Sequence, residues 1–298
     1  MMKDRLLISF SGGRTSAYMT HWLLQNKAQR YEMMVVFANT GKEREETLQF
    51  IDDCDRILGF KVHWVEAITS LMPGVGVSAK KVNFLSASRN GEPFEAFIQK
   101  HGIPNQGGPK CSRELKAYAI RAYARSLGWK KYYTAIGIRH DERHRINLKT
   151  AKKERLIYPL AQWLKATRSD INLFWSHQNF DLQLKSYEGN CDLCWKKSRR
   201  KLITILRENP NLADWWRDME NKYGTLIPYR SKGNPNFRPP IRFYRDFMSI
   251  DDLLQEAAFD HPGATDESKI IDPYKQLPLF DPCLDSETGS CSDSCEAF

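Results

Sequence analysis

The sequence predicts an α/β fold with a doubly wound, mostly parallel five-stranded sheet. Three observations lead there. Short continuous apolar runs recur, helical patterns alternate with them, and a Gly pair sits where the first run meets the first helix. Strands buried on both faces read as unbroken apolar runs, and their alternation with helices implies parallel pairing through crossovers. The first run is Arg5 to Phe10, and a helix with Ala17, Tyr18, Trp22 and Leu23 at helical spacing follows. Met33 to Ala38 is the second run, Glu45 to Leu58 the second helix and Phe60 to Val65 the third strand. From Ser70 to Pro109 the pattern weakens, and Pro104 to Pro109 reads as loop. A helix is expected over Ser112 to Leu127, a fourth strand over Tyr132 to Gly137, and a short fifth at Leu156 to Tyr158. Thr167 or Ser169 then caps a helix reaching Ser176.

Beyond Cys194 the pattern changes to an α-rich extension. A basic helix, Lys196 to Leu206, leads to an aromatic one around Trp215 and Trp216, and Asp251 to Ala258 forms a last short helix. The expected division is a nucleotide-binding domain over 1–190, a basic and aromatic helical region over 191–260, and a mobile, cysteine-bearing tail over 261–298. No stretch approaches the length of a membrane helix, and the first residues do not read as a secretory signal, so a cytoplasmic protein with no membrane partner is expected. The formal charge of +9 favours an anionic partner, either nucleotide phosphates or a nucleic acid. Arginines interleaved with aromatics around Trp215 to Arg245 suit stacking on bases, although half-buried core aromatics give the same pattern.

Chemistry concentrates first in Ser11-Gly12-Gly13-Arg14-Thr15-Ser16, between strand and helix. Two glycines let the backbone approach a phosphate, and the helix N-terminus adds partial positive charge. Ser11, Thr15 and Ser16 can donate hydroxyl hydrogen bonds, and Arg14 a charge-assisted one. A plain Gly-Gly turn is the bland alternative. The spacing is neither that of a Walker A loop nor that of the dinucleotide fingerprint.

The hexapeptide resembles the PP-loop of the ATP pyrophosphatase (adenine nucleotide alpha hydrolase) superfamily, whose pattern is Ser-Gly-Gly-x-Asp-Ser; Thr15 stands at the acid. Further segments resemble, in order, the PAPS/APS reductase branch. Asn39-Thr40-Gly41 with Glu46-Thr47 resembles its Asp-Thr-Gly and Glu-Thr elements, Asn39 replacing the acid. Gly137-Ile138-Arg139 with Arg145 resembles its Gly-x-Arg loop, beside which His140 and His144 are expected to help bind anion. Tyr158 to Trp163 resembles its Pro-Leu-x-x-Trp segment. The resemblance implies that ATP or an adenylyl sulfate (PAPS or APS), with magnesium, lies on Ser11 to Ser16, Asn39, Thr40, Gly41 and Gly137. It also implies that Arg14, Lys116, Arg139 and Arg145 stabilise charge on the α-phosphate.

Seven cysteines are present: Cys54, Cys111, Cys191, Cys194, Cys283, Cys291 and Cys295. The pair Cys191-x-x-Cys194 by itself permits zinc, a redox disulfide or an iron–sulfur cluster. Cys111 stands 80 positions before it. APS reductases hold a 4Fe–4S cluster on a Cys-Cys pair and a later Cys-x-x-Cys pair. Cys111, Cys191 and Cys194 match three of those ligands, and Lys110 occupies the fourth place. The resemblance thus implies a cluster in preference to zinc, with an open iron or a ligand borrowed from Cys283, Cys291 or Cys295. Three functions follow. An adenylating sulfurtransferase would activate a nucleic acid or related acceptor. A PAPS/APS reductase would use Cys291 or Cys295 as nucleophile and a thioredoxin-like reductant. A non-catalytic nucleotide-binding module is the third.

Overall fold

Leu6, Leu7 and Ile8 have no solvent exposure, and the strand they build, β1 (Asp4–Ser9), is central in the sheet. The computed structural model describes residues 3–234 and 237–271. The other strands are β2 (Tyr31–Asn39), β3 (His63–Thr69), β4 (Val77–Val82), β5 (Tyr133–Ala135) and β6 (Leu156–Ile157). The order is β4-β3-β2-β1-β5-β6, with β4 antiparallel to β3 and every other pairing parallel. Side chains alternate across the sheet as the pleat requires. Leu6 and Ile8 pack with Phe10, Leu23, Ile51 and Trp175 on one face; Leu7 packs with Val36, Val65 and Ile120 on the other.

The chain leaves β1 for β2 and β3 on one side and returns to the other side for β5 and β6. Strand order therefore reverses at β1, and the crevice beyond the carboxyl ends of β1 and β5 is where doubly wound sheets receive ligands.

Helices α1 (Arg14–Lys27), α2 (Glu45–Leu58), α3 (Glu92–His101), α4 (Tyr118–Ser126), α5 (Leu148–Glu154) and α6 (Arg168–Ser176) accompany the sheet. A π-helical turn, Ser112–Ala117, runs directly into α4. The expected doubly wound fold is present with six strands rather than five. The extra strand, β4, lies in the stretch where the sequence pattern weakens, and α3 follows Gly91 in the same stretch with Pro93 in its first turn, a position proline suits.

Three further helices follow: α7 (Arg199–Glu208), α8 (Ala213–Tyr223) and α9 (Ile250–Ala257). Leu202, Ile203, Leu206, Trp216, Phe243 and Leu253 close a core with Phe94, Phe97 and Ile98 of α3. Trp216 is fully buried, edge-on to Phe94 at 5.8 Å and to Phe243 at 4.7 Å. Trp215 lies against Gly91, where a Cβ would come within 2.5 Å of its ring. These two tryptophans are packing residues. Truncating a ring such as Trp216 to alanine costs about 3–5 kcal/mol. Among the described residues no helix is long and apolar enough to cross a membrane.

Candidate nucleotide and cysteine sites

Two neighbouring helices show how the first site is built. α2 begins with Glu45 and Glu46, whose charges complement its N-terminal dipole. α1 follows Gly13 with no acid in its first turn and no side-chain cap. Its first N–H groups thus remain available to an anion. The loop ahead of it is locked from within. Ser16 Oγ accepts from Ser11 N at 3.2 Å, lies 2.9 Å from Ser11 Oγ and donates to Gly13 O at 3.0 Å. Gly12 holds φ +85°, and a Cβ there would approach Ile51 and Thr47 of α2 to 2.7 Å. The glycine is required by conformation and by space together.

A cavity with about 490 Å³ of empty space opens at this loop. Arg14 and Thr15 line it from α1, Arg139 from the segment after β5, Arg168 and Asn172 from α6, and Asn190 from the stretch before Cys191. Arg139 is buried; its Nε donates to Asp141 at 3.1 Å, and an Nη lies 3.5 Å from Thr15 Oγ1. Arg14 is paired with Asp181 at 3.0 Å, and its guanidinium also reaches Asn172 at 3.3 Å and the carbonyl of Ser268. Burial raises the Asp181 carboxyl above its usual range, although Arg14 pulls it back down. Glu267 and Ser268 close one side of the cavity, Glu267 pairing with Arg168.

At the end of β2, Asn39 is fully buried. Its Nδ2 donates to Glu66 Oε1 at 2.7 Å and to Ser88 O at 2.9 Å, while its Oδ1 accepts from Gly41 N at 3.2 Å. Asn39 and Glu66 are register partners on β2 and β3, and Lys80 of β4 reaches Glu66 at 2.8 Å. An aspartate at position 39 would put two carboxylates in contact. Here the acid stands one strand over, at Glu66, and the amide at 39 matches it. Thr40 donates to Glu43 Oε2 through its N–H at 2.7 Å and its hydroxyl at 2.9 Å.

The second site is apolar. Cys111, at the start of the π-helical turn, and Cys191 and Cys194 line one cavity with about 350 Å³ of empty space, together with Thr40, Phe94, Lys116, Trp195 and Trp216. A hydrogen bond to Cys194, then burial, push the Cys191 thiol well above its usual range. Lys116 is buried and ion-paired with Glu43 at 3.3 Å. Residues 188–194 bind this cavity to the first one. Asn190 Nδ2 donates to Ser11 O at 2.7 Å, Arg44 N donates to Asn190 O at 2.8 Å, and Glu43 bridges to Cys191. Asp192 accepts from Trp216 Nε1 at 3.0 Å and pairs with Lys42 at 2.9 Å.

The residues singled out in the sequence thus separate. Arg14, Thr15 and Arg139 share the loop cavity, whereas Lys116 lines the cysteine cavity. Arg145 lines neither of these two and pairs with Glu142 at 2.7 Å. Gly137 is buried directly after β5. Cys54 is a buried residue of α2 whose thiol is pushed up by desolvation and by nearby aspartates, as suits a packing role. Cys283, Cys291 and Cys295 lie outside the described residues. Among the described residues no three His, Cys, Asp or Glu side chains are grouped closely enough to hold a single metal ion. Sequence reasoning passed over Asn190, Asp181, Arg168 and Glu66. Only Asn190, adjoining the Cys-x-x-Cys pair, had a signal that could have drawn attention to it.

The sheet reversal, the Gly-Gly loop and the uncapped α1 define an α/β protein of the PP-loop nucleotide-binding class. Residues 5–182 match the phosphoadenosine phosphosulfate reductase domain, and the chain belongs to that family. An uncharacterized nin region protein of Escherichia phage lambda, ORF290, is 28% identical over 303 residues, covering 98% of this chain and 94% of that one. That similarity extends past the family domain into the helical extension. Two uncharacterized proteins of Methanocaldococcus jannaschii are 24% and 23% identical over 231 and 228 residues. This chain spans 42% and 47% of their lengths.

Proposed function

We propose that this protein is an adenylating sulfurtransferase that binds ATP on Ser11 to Ser16 and carries a 4Fe–4S cluster on Cys111, Cys191 and Cys194. One observation carries the reading: thiols 80 residues apart in sequence line a single cavity, tied through Asn190 to the phosphate loop. The donor set suits the group. Three thiols line one cavity, and no histidine is among the residues lining it, a donor set of the kind that holds iron–sulfur clusters. A cluster held there with one iron open would carry a sulfide delivered by an external sulfide donor.

The chain's own residues do the rest. N–H groups at the start of α1 and the side chains of Thr15, Arg14 and Arg139 hold the nucleotide phosphates, with magnesium accompanying them. Asn39, Thr40, Gly41 and Gly137 are assigned to the nucleotide by the resemblance of their segments to the family, with Thr40 lining the neighbouring cysteine cavity. An oxygen of the acceptor attacks the α-phosphorus, the α–β bridge breaks and pyrophosphate leaves. Sulfide then adds at the activated carbon and AMP departs with the acceptor's former oxygen. Lys116, beside the thiols, stabilises negative charge there, and Arg145 acts through Glu142. The nucleotide domain over 1–190, the helical region over 191–260, the tail over 261–298 and a cytoplasmic location belong to the same proposal.

A PAPS/APS reductase is the second reading, favoured by the family itself. In it Cys291 or Cys295 attacks the sulfate sulfur, sulfite is released, and a thioredoxin-like reductant resolves the product. Anaerobic purification with iron and acid-labile sulfide assays tests the first reading. About four irons per chain, lost in Cys111→Ser, supports it. An iron-free anaerobic protein that releases sulfite from PAPS decides for the second.

A further inference from the structure

A third cavity lies in the helical extension, with about 610 Å³ of empty space against about 490 Å³ at the phosphate loop. Its walls include Trp195, Ser198, Arg199, Tyr244, Arg245 and Met248. Trp195 also lines the cysteine cavity, so the two spaces share this residue. That indole is buried, and its Nε1–H has no hydrogen-bond partner among the described residues. A buried donor without an acceptor is rare in a folded protein, and an occupant of one of these spaces would satisfy it.

The surroundings specify the occupant. Helix α7 opens at this cavity with Ser198 as its cap and Arg199, Arg200 and Lys201 as its first turn, with no acid among them. Three cations at a helix N-terminus oppose the dipole and repel one another. Glu256 pairs with Arg199, while Arg200 stands exposed. The arrangement gains stability from a bound anion. Two aromatic walls, Trp195 and Tyr244, offer flat apolar surface next to it. At the rim Asp246 and Phe247 hold left-handed backbone at φ 58° and 59°, and Phe247 is 86% exposed. Consecutive non-glycine residues in that region are strained, and such strain gathers at ligand sites.

We propose that this cavity receives one nucleotide of a single-stranded nucleic acid, with its phosphate at the start of α7 and its base against Trp195 and Tyr244. Phe247 stacks on the neighbouring base. The occupant then shares Trp195 with the cavity of Cys111, Cys191 and Cys194. This assigns the acceptor site of the transfer reaction and rests on that reading for its chemistry, although the binding itself stands apart from it.

The test is fluorescence anisotropy of labelled single-stranded DNA and RNA oligonucleotides with the full chain. Arg200→Glu and Phe247→Ala alter exposed side chains, and retained ATP binding shows that each variant is folded. Each is expected to weaken strand binding about tenfold, while Lys130→Glu, the same charge change on an exposed lysine after α4, stays within about twofold. Photo-crosslinking with a 4-thiothymidine strand should label the peptides carrying Trp195 or Tyr244. Equal weakening by all three variants, crosslinks elsewhere, or no strand binding by the wild type overturns the proposal. A free mononucleotide competing as well as the strand would assign the cavity to that ligand instead. Strand binding at this cavity without ATP-dependent sulfur transfer would sink the transfer reading and leave the site standing; transfer with no binding here would do the reverse.

Discussion

The phosphate-loop cavity and the cysteine cavity are joined by residues 188–194, yet they are built on opposite principles. The first is a field of donors. Arg14, Arg139 and Arg168 surround it, each already holding a carboxylate at Asp181, Asp141 or Glu267. A phosphate entering it exchanges partners, so affinity there is a difference between two sets of ion pairs. The second is apolar, and its Cys191 thiol is held protonated by its pairing with Cys194 and by burial. A cation or cluster binding it must expel protons, so its strength depends on thiolate formation. The difference teaches that nucleotide and metal can be tested independently, because changes that disable one site need not touch the other.

The largest expected effect comes from closing the first cavity's backbone. Gly12→Val places a branched Cβ at φ +85° and against Ile51 and Thr47. Nucleotide binding should disappear in calorimetric titration, with a stability loss of about 1–3 kcal/mol on thermal or urea unfolding. Iron content of the anaerobic protein should persist if the sites are independent. The reverse experiment is Cys111→Ser or Cys191→Ser. Iron and sulfide should fall to background in chemical assay, while ATP affinity changes by less than about twofold, because neither thiol lines the loop cavity. Joint loss of both activities in either variant would break the comparison.

The legibility of these sites follows from their chemistry. β1, β2 and β3 were readable because strands buried on both faces leave unbroken apolar runs such as Leu6 to Ile8. β4 was not, because Val-Ser-Ala-Lys-Lys-Val at a half-exposed edge alternates too weakly to stand out. The phosphate loop was legible through its glycines, and the three cysteines through spacing and resemblance. What sequence could not show is pairing in space. Asn39 reads as a lost acid until Glu66 is found beside it on the next strand. Lys116 and Arg145, grouped with Arg14 and Arg139 by motif order, stand apart from the loop cavity because their elements turn them toward Glu43 and Glu142.

Smaller effects sharpen the partner-exchange picture of the first cavity. Asp181→Asn releases Arg14, and ATP should bind about two- to fivefold tighter, as expected for removal of one partly buried ion pair. The Asp181 carboxyl sits above its unfolded value, so its contribution to stability is present below about pH 4 and is lost as pH rises through the folded value. Asp181→Asn should remove that loss, read as a flatter dependence of urea midpoint on pH between 4 and 7. Glu267→Ala frees Arg168 at a more exposed pair, and its gain in ATP affinity should stay near twofold.

The central claim concerns which bond is broken beside the α-phosphate. Anaerobically prepared protein incubated with α-labelled ATP and a single-stranded nucleic acid should form labelled AMP and one pyrophosphate per AMP, and the Gly12→Val variant should form neither. ATP left intact under those conditions, with sulfite released from PAPS instead, would contradict the account.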